Sequence, residues 1–261
     1  MSPVTAESSR QEAPTSSRAA LVPAVLAGCA VLLQIAYPLT DGSARDRLTV
    51  GTVAVFAAAS LSHAVVHRGV GWAAVYAAVT AGFGLLAEAV GTATGFPFGA
   101  YDYADSLGAK LVGVPVVIPL AWTMFAYPCL LVGQRLTSTR LGVAVVGGWA
   151  LASWDLFLDP QMVEAGHWRW GDVTTSLPGS PDVPVSNYLG WVLTGTAIMG
   201  FLQLLPRKEA DDRVPAALFL WTYASSVLAF AVFFERPLVA LVGGVGMGLV
   251  AVPYALSLRR A

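Results

Sequence analysis

Apolar residues run along this chain in unbroken blocks, and the polar positions are gathered between the blocks rather than alternating with the apolar ones. A helix needs about 20 such residues to cross a hydrocarbon core. Eight blocks qualify, at roughly 20–39, 48–66, 70–91, 111–133, 139–158, 187–205, 214–234 and 237–257. Only Glu235-Arg236-Pro237 separates the last two, so a count of seven stays open. In lipid, only helices and closed barrels satisfy their own backbone groups, and continuous runs of this length are helical. The pattern therefore predicts an all-α fold, a polytopic membrane helix bundle of about 8 (7–8) transmembrane helices, with one integral-membrane domain over 20–258. Residues 1–19, rich in Ser, Ala, Thr and Pro, predict a disordered cytoplasmic tail. Leu26-Ala27-Gly28-Cys29 resembles a lipoprotein cleavage site, but the apolar run continues past Cys29 to Leu39, long enough to span.

Composition agrees with a lipid setting. Charged residues make up 12% of the 261 residues, against about 25% in soluble domains. A net charge of -1 argues against nucleic acid, which calls for a basic face. Cys29 and Cys129 both lie inside apolar runs, so neither a disulfide framework nor a cysteine metal site is supported. Of 15 Lys and Arg, ten lie in the tail, the even-numbered loops and the C-terminus, and five in the odd-numbered loops. The positive-inside rule then predicts a multi-pass cell-membrane protein with both termini cytoplasmic and its two long loops outside.

Against that background the carboxylates stand out. Glu88 falls in the last turn of the third span, and Asp155 and Asp159 near the end of the fifth, one helical turn apart. An acid at a span centre costs about 2.5–3.5 kcal/mol, less toward the interface, and is a functional candidate by default. The bland alternative is a structural pairing with Arg169 or Lys110. Both helices then run into Gly-rich, aromatic loops, "GTATGFPFGAYDY" and "AGHWRWGD". Stepping back along the helix faces meets Gly84, Ala81, Ala77 and Ala73 from Glu88, and Ala152, Gly148 and Ala144 from Asp155. Such stripes either let helices approach closely or line a narrow slot below each acid.

Other polar features say less. His63 and His67 share a helix face, and with three histidines in all a di-iron site lacks ligands; a solvated helix end accounts for them better. Pro115 and Pro119 are expected to kink the fourth span. There is no Walker loop, dinucleotide fingerprint, HExxH or Asp-rich diphosphate motif, so neither nucleotide nor metal chemistry has its usual sequence support.

The stretches "GTATGFPFGAYDYADSLGAKLVGVPVVIPLAW", "SWDLFLDPQMVEAGHWRW" and "VPVSNYLGW" resemble the membrane carotenoid-biosynthesis family that includes bisanhydrobacterioruberin hydratase and gamma-carotene hydratase. The resemblance covers roughly residues 70–205. Its matching positions are Glu88, Gly95, Phe96, Pro97, Phe98, Gly99, Tyr101, Tyr103, Pro115, Pro119, Trp122, Trp154, Asp155, Asp159, Pro160, His167 and Trp168. Ala100 stands where a larger polar residue is expected in relatives. The resemblance implies addition of water across the terminal C=C of an acyclic carotenoid end group, C40 or C50, giving a tertiary alcohol with no cofactor. The expected partners are the polyene, the bilayer and, by association, other carotenoid-biosynthesis enzymes.

The residue roles follow from chemistry rather than from the resemblance. Hydration needs a carboxylic acid in a dry place, a water route and a cradle for a tertiary cation. Asp155 is expected as the acid and Glu88 or Asp159 as the base, with Asp102 and His167 relaying protons at the mouth. Trp154, Trp168 and Tyr101 are expected to face the cation, at up to about 2 kcal/mol per desolvated contact. Tyr103, Phe96, Phe98 and Trp122 complete the expected substrate wall. Two readings from other classes stand beside this one: a proton-coupled transporter, and a non-catalytic subunit organising carotenoid enzymes.

Overall fold

The computed structural model describes residues 17–259, with side chains from residue 21. Most of the tail expected over 1–19 lies outside the described residues, and its last three positions belong to the first helix. Among the described residues, eight helices are long and apolar enough to cross a membrane, the seventh with the π-helical turn that follows it: α1 (Ser17–Ala36), α2 (Gly42–Arg68), α3 (Val70–Thr94), α4 (Val117–Leu136), α5 (Arg140–Glu164), α6 (Val185–Leu202), α7 (Arg213–Leu228) and α8 (Pro237–Leu258). The chain is thus an all-α polytopic membrane bundle, and the eight-span count holds over seven. A π-helical turn over Ala229–Phe233 extends α7, and Phe234–Arg236 connect it to α8.

Helix α4 is the centre. Its most apolar window is 83% buried against 17% for α1, so α4 is packed by protein on all sides while α1 is left to lipid. Two features make that central position tolerable. Pro128 lies inside α4 and cannot donate to the Met124 carbonyl one turn back; Ser60 Oγ, from α2, donates to that carbonyl instead at 2.7 Å. Tyr76 from α3 donates to the neighbouring Thr123 carbonyl.

Several sequence expectations give way here. The fourth helix starts at Val117, not 111, because Lys110–Leu111 (β2) and Val114–Pro115 (β3) form a small antiparallel hairpin before it. Pro115 therefore precedes the helix and Pro119 sits in its first turn, where no intrahelical N–H is required, so neither is a kink. Helix α5 continues to Glu164 through Pro160, which places Asp159 within the helix. No slot runs below the acids along the small-residue stripes: a Cβ at Gly84 would come within 2.7 Å of the Trp122 ring, and one at Gly148 within 2.7 Å of the Thr196 backbone. The stripes are contact surfaces that let α3 and α5 close on their neighbours. His63 is 1% exposed and bonded to Tyr127 OH (2.9 Å) and the Asp211 carbonyl (2.9 Å), so it is not a solvated helix end. The segment between α6 and α7 folds over it, held by an ion pair of 2.8 Å between Arg68 and Asp212.

The two long loops meet at the other end of the bundle. Tyr101–Tyr103 (β1), after α3, pairs antiparallel with Trp168–Trp170 (β4), after α5, in the register Tyr101–Trp170, Asp102–Arg169 and Tyr103–Trp168. Ser176–Leu177 (β5) and Ser180–Pro184 (β6) make a second hairpin leading into α6.

Candidate active site

Alternation along the β1–β4 ribbon decides which of its side chains reach the interior. Successive residues of a strand face opposite ways. Tyr101, Trp168 and Trp170 are buried, Tyr103 is partly buried, and Asp102 and Arg169 are exposed. The buried face roofs a cavity of about 170 Å³ whose wall includes Glu88, Asp159, Phe98, Tyr101, Tyr103, Trp122, Trp154, Trp168, Asn187 and Trp191. Five of the chain's eight tryptophans line it: Trp122, Trp154, Trp168, Trp170 and Trp191.

Glu88 is buried and receives three hydrogen bonds. Tyr103 OH donates to Oε2 at 2.7 Å, Tyr101 OH donates to the same oxygen, and Trp122 Nε1 donates to Oε1 at 3.0 Å. Three donors and no cation is a pattern that an acceptor-only carboxylate satisfies. The structural pairing with Lys110 or Arg169 does not form. Lys110 Nζ goes to Asp105 at 2.7 Å and to the Tyr103 carbonyl at 2.9 Å, and Arg169 faces outward.

The aspartates are bridged rather than separate. Asn187, in the first turn of α6, donates from Nδ2 to Asp155 Oδ2 at 2.7 Å and also to Asp159 Oδ2. Asp159 Oδ1 receives Trp168 Nε1 at 2.9 Å. The other oxygen of Asp155 is enclosed without a partner. Asp159 lines the cavity, whereas Asp155, one turn deeper and fully buried, does not. Glu88 and Asp159 thus share the cavity, with Asp155 behind its wall.

The rings around the acids pack face and edge. Trp122 stacks on Trp191 at 4.1 Å between centroids, and Trp154 meets Trp191 edge-on at 6.1 Å. Tyr103 and Trp168 cross at 5.6 Å, and Tyr101 and Trp170 at 5.7 Å. Faces of this kind present negative charge density to a cation.

Three expected residues lie elsewhere. Asp102 points away from the cavity on the exposed side of β1. Phe96 is 65% exposed and absent from the wall. His167 is fully buried behind β4, with Nδ1 at 2.8 Å from Ser106 Oγ and Nε2 at 3.8 Å from Asp46. Burial pushes its pKa below the usual value and the Asp46 charge offsets this only in part, and its Nδ1 contact with Ser106 ties it to the loop after α3. Conversely, Asn187, Trp170 and Trp191 belong to the wall although the sequence reading does not single them out. Asn187 and Trp191 stand within "VPVSNYLGW", where the signal is a neutral amide at the start of an apolar run.

A relative, the bisanhydrobacterioruberin hydratase of Haloarcula japonica, is 34% identical over 115 residues, which is 42% of this chain and 37% of the relative. The matched stretch therefore spans little more than a third of that relative's length. No solved structure matches the chain. The profile of the carotenoid biosynthesis proteins matches residues 48–255, from within α2 to within α8 and across both acids and all five tryptophans of the cavity wall, and the chain belongs to that family.

Proposed function

We propose that the chain is a carotenoid hydratase that adds water across the terminal C=C of an acyclic carotenoid end group to give a tertiary alcohol. The observation that carries this reading is the meeting of Glu88 and Asp159 in one cavity walled by five indoles. Two carboxylates bridged by a single amide repel each other when both are charged, so the Asp155–Asn187–Asp159 unit holds one proton between its members. Asp159, on the cavity side, delivers that proton to the less substituted alkene carbon. The tertiary cation that results lies among ring faces of Trp122, Trp154, Trp168 and Trp191. Water attacks the cation, the C–O bond forms, and the departing proton goes to Glu88, which three donors hold as an acceptor. Transfer of that proton back to the aspartate pair resets the site, so the reaction balances as alkene plus water giving alcohol.

Position supports this assignment over proton-coupled carriage. An extended carotenoid is comparable in length to the roughly 30 Å hydrocarbon core, so its tip falls near an interface. Glu88 and Asp159 both sit close to the end of the bundle where the long loops gather. A carrier favours a site at mid-depth between inverted repeats.

The test is pigment analysis by mass in cells that accumulate an acyclic carotenoid. The wild-type chain is expected to add the mass of one water, and Asp159→Asn and Glu88→Gln each to lose at least about 100-fold in product, the usual scale for a general acid or base. Hydrated pigment at wild-type levels in both variants, with the proteins present in the membrane, removes the proposal.

A further inference from the structure

The cavity has a second end with different chemistry. Away from the acids its wall is supplied by α1, α2, α5 and α7, which contribute Gln34, Thr49, Thr52, Gln161, Ser225 and Ser226. All six are polar and none is charged. A hydroxyl within a helix ordinarily bonds a carbonyl three or four residues back. Thr49 does so to Arg45 at 3.1 Å, and Ser225 to Thr222 at 3.5 Å.

Thr52 does not. The residue is 9% exposed, and its Oγ1 is enclosed without a hydrogen-bond partner. Gln34 Oε1, on the adjacent helix, is likewise enclosed and unpartnered. An enclosed polar atom with nothing to bond is costly and rare. Both of these atoms belong to residues of the wall of one cavity, on different helices. The π-helical turn of α7 adds to this picture, because Ala229 at its start and Phe234 just beyond it line the same cavity. Such turns occur frequently at functional sites.

The chemistry of the pair selects its ligand. An amide oxygen only accepts, so the partner of Gln34 must donate, which rules out a ketone, ether or ester oxygen. A threonine hydroxyl donates as well as accepts. A hydroxyl group suits either oxygen, donating to Gln34 or accepting from Thr52. A cationic donor is disfavoured, because none of the six side chains carries a compensating charge.

We infer that this end of the cavity is a binding site for a neutral hydroxyl group, supplied either by a water molecule or by an alcohol on a polyene. The inference does not depend on whether the acid end performs hydration.

The test uses the full-length protein in lipid nanodiscs. Binding of an acyclic hydrocarbon polyene, and of the same chain bearing a terminal tertiary alcohol, is followed by quenching of the cavity tryptophans. Wild type is compared with Thr52→Val, which keeps the side-chain shape, and with Gln34→Leu; a density map resolving ordered water is obtained for wild type and Thr52→Val. If an alcohol fills the site, wild type binds the alcohol about tenfold more tightly than the hydrocarbon, one hydrogen bond's worth. Both variants then lose that preference. If water fills it, the two polyenes bind equally, and density within hydrogen-bonding distance of Gln34 Oε1 and Thr52 Oγ1 disappears in Thr52→Val. Equal binding together with a wild-type map that has no density at those two oxygens overturns the inference. None of these measurements reads turnover, so a chain that fails to hydrate carotenoids leaves the site standing, and loss of the site leaves the acid chemistry standing.

Discussion

Asn187 donates to Asp155 and Asp159 from one amino group, so its replacement by leucine leaves two carboxylates facing each other with no donor between them. Each buried acceptor so orphaned costs about 1–3 kcal/mol. Asn187→Leu is therefore expected to lower the melting temperature in detergent and to reduce hydrated pigment at least about tenfold, a ~1.4 kcal/mol effect on the barrier. Wild-type values for both would show that the bridge is incidental. His167 gives a pH signature of a different kind. Its folded pKa lies below the unfolded value of 6.5, so as pH falls through about 6.5 the unfolded chain takes up a proton that the folded chain resists. Stability from this residue is thus present above that pH and lost below it. Thermal melts between about pH 7.5 and 5.5 are expected to decline more steeply for wild type than for His167→Gln; parallel slopes would remove His167 as the cause. Glu88 and the aspartates are legible in the sequence because charge is conspicuous in an apolar run. Asn187 is not, because a neutral amide at a helix start reads equally well as an ordinary terminus residue.

At the scale of elements, hydropathy locates all eight helices, since burial in lipid and burial in protein impose the same composition. Their ends are less legible. The fifth apolar block ends at 158, whereas the helix carries on through Pro160 to Glu164 and keeps both aspartates on one face. The small residues are visible but ambiguous, and only the packing of α5 on α6 shows that Gly148 is spent on contact. A side chain there has no room, because an added Cβ would lie 2.6 Å from Thr196 Oγ1. Gly148→Leu is expected to cost about 1–3 kcal/mol, the range for overpacking, and to lower the melting temperature while Gly171→Ala, with open space around it, does not. Equal melting temperatures for the two variants would mean that α5 and α6 separate without penalty. The β1–β4 ribbon has only a faint trace in the sequence, two similar aromatic loops after two acid-bearing helices. Pairing between segments so distant along the chain is a property of the assembled bundle, as the Tyr101–Trp170 register illustrates.

For the whole molecule, the distribution of Lys and Arg makes a directional statement. The end that carries Arg68, Arg207, Lys208 and Arg213 should face the cytoplasm, and the roofed cavity should open toward the outer surface. In a background with Cys29 and Cys129 replaced by serine, Asp172→Cys in the exposed loop after β4 is expected to react with a membrane-impermeant maleimide in intact cells. A cysteine replacing Glu209 between α6 and α7 is expected to react only after lysis, and the reverse pattern would invert the topology. The ribbon that roofs the cavity has one more consequence. Tyr101 and Tyr103 on one strand donate to Glu88, and Trp168 on the other donates to Asp159, so a ribbon whose strands part would leave Glu88 with Trp122 alone and Asp159 with Asn187 alone.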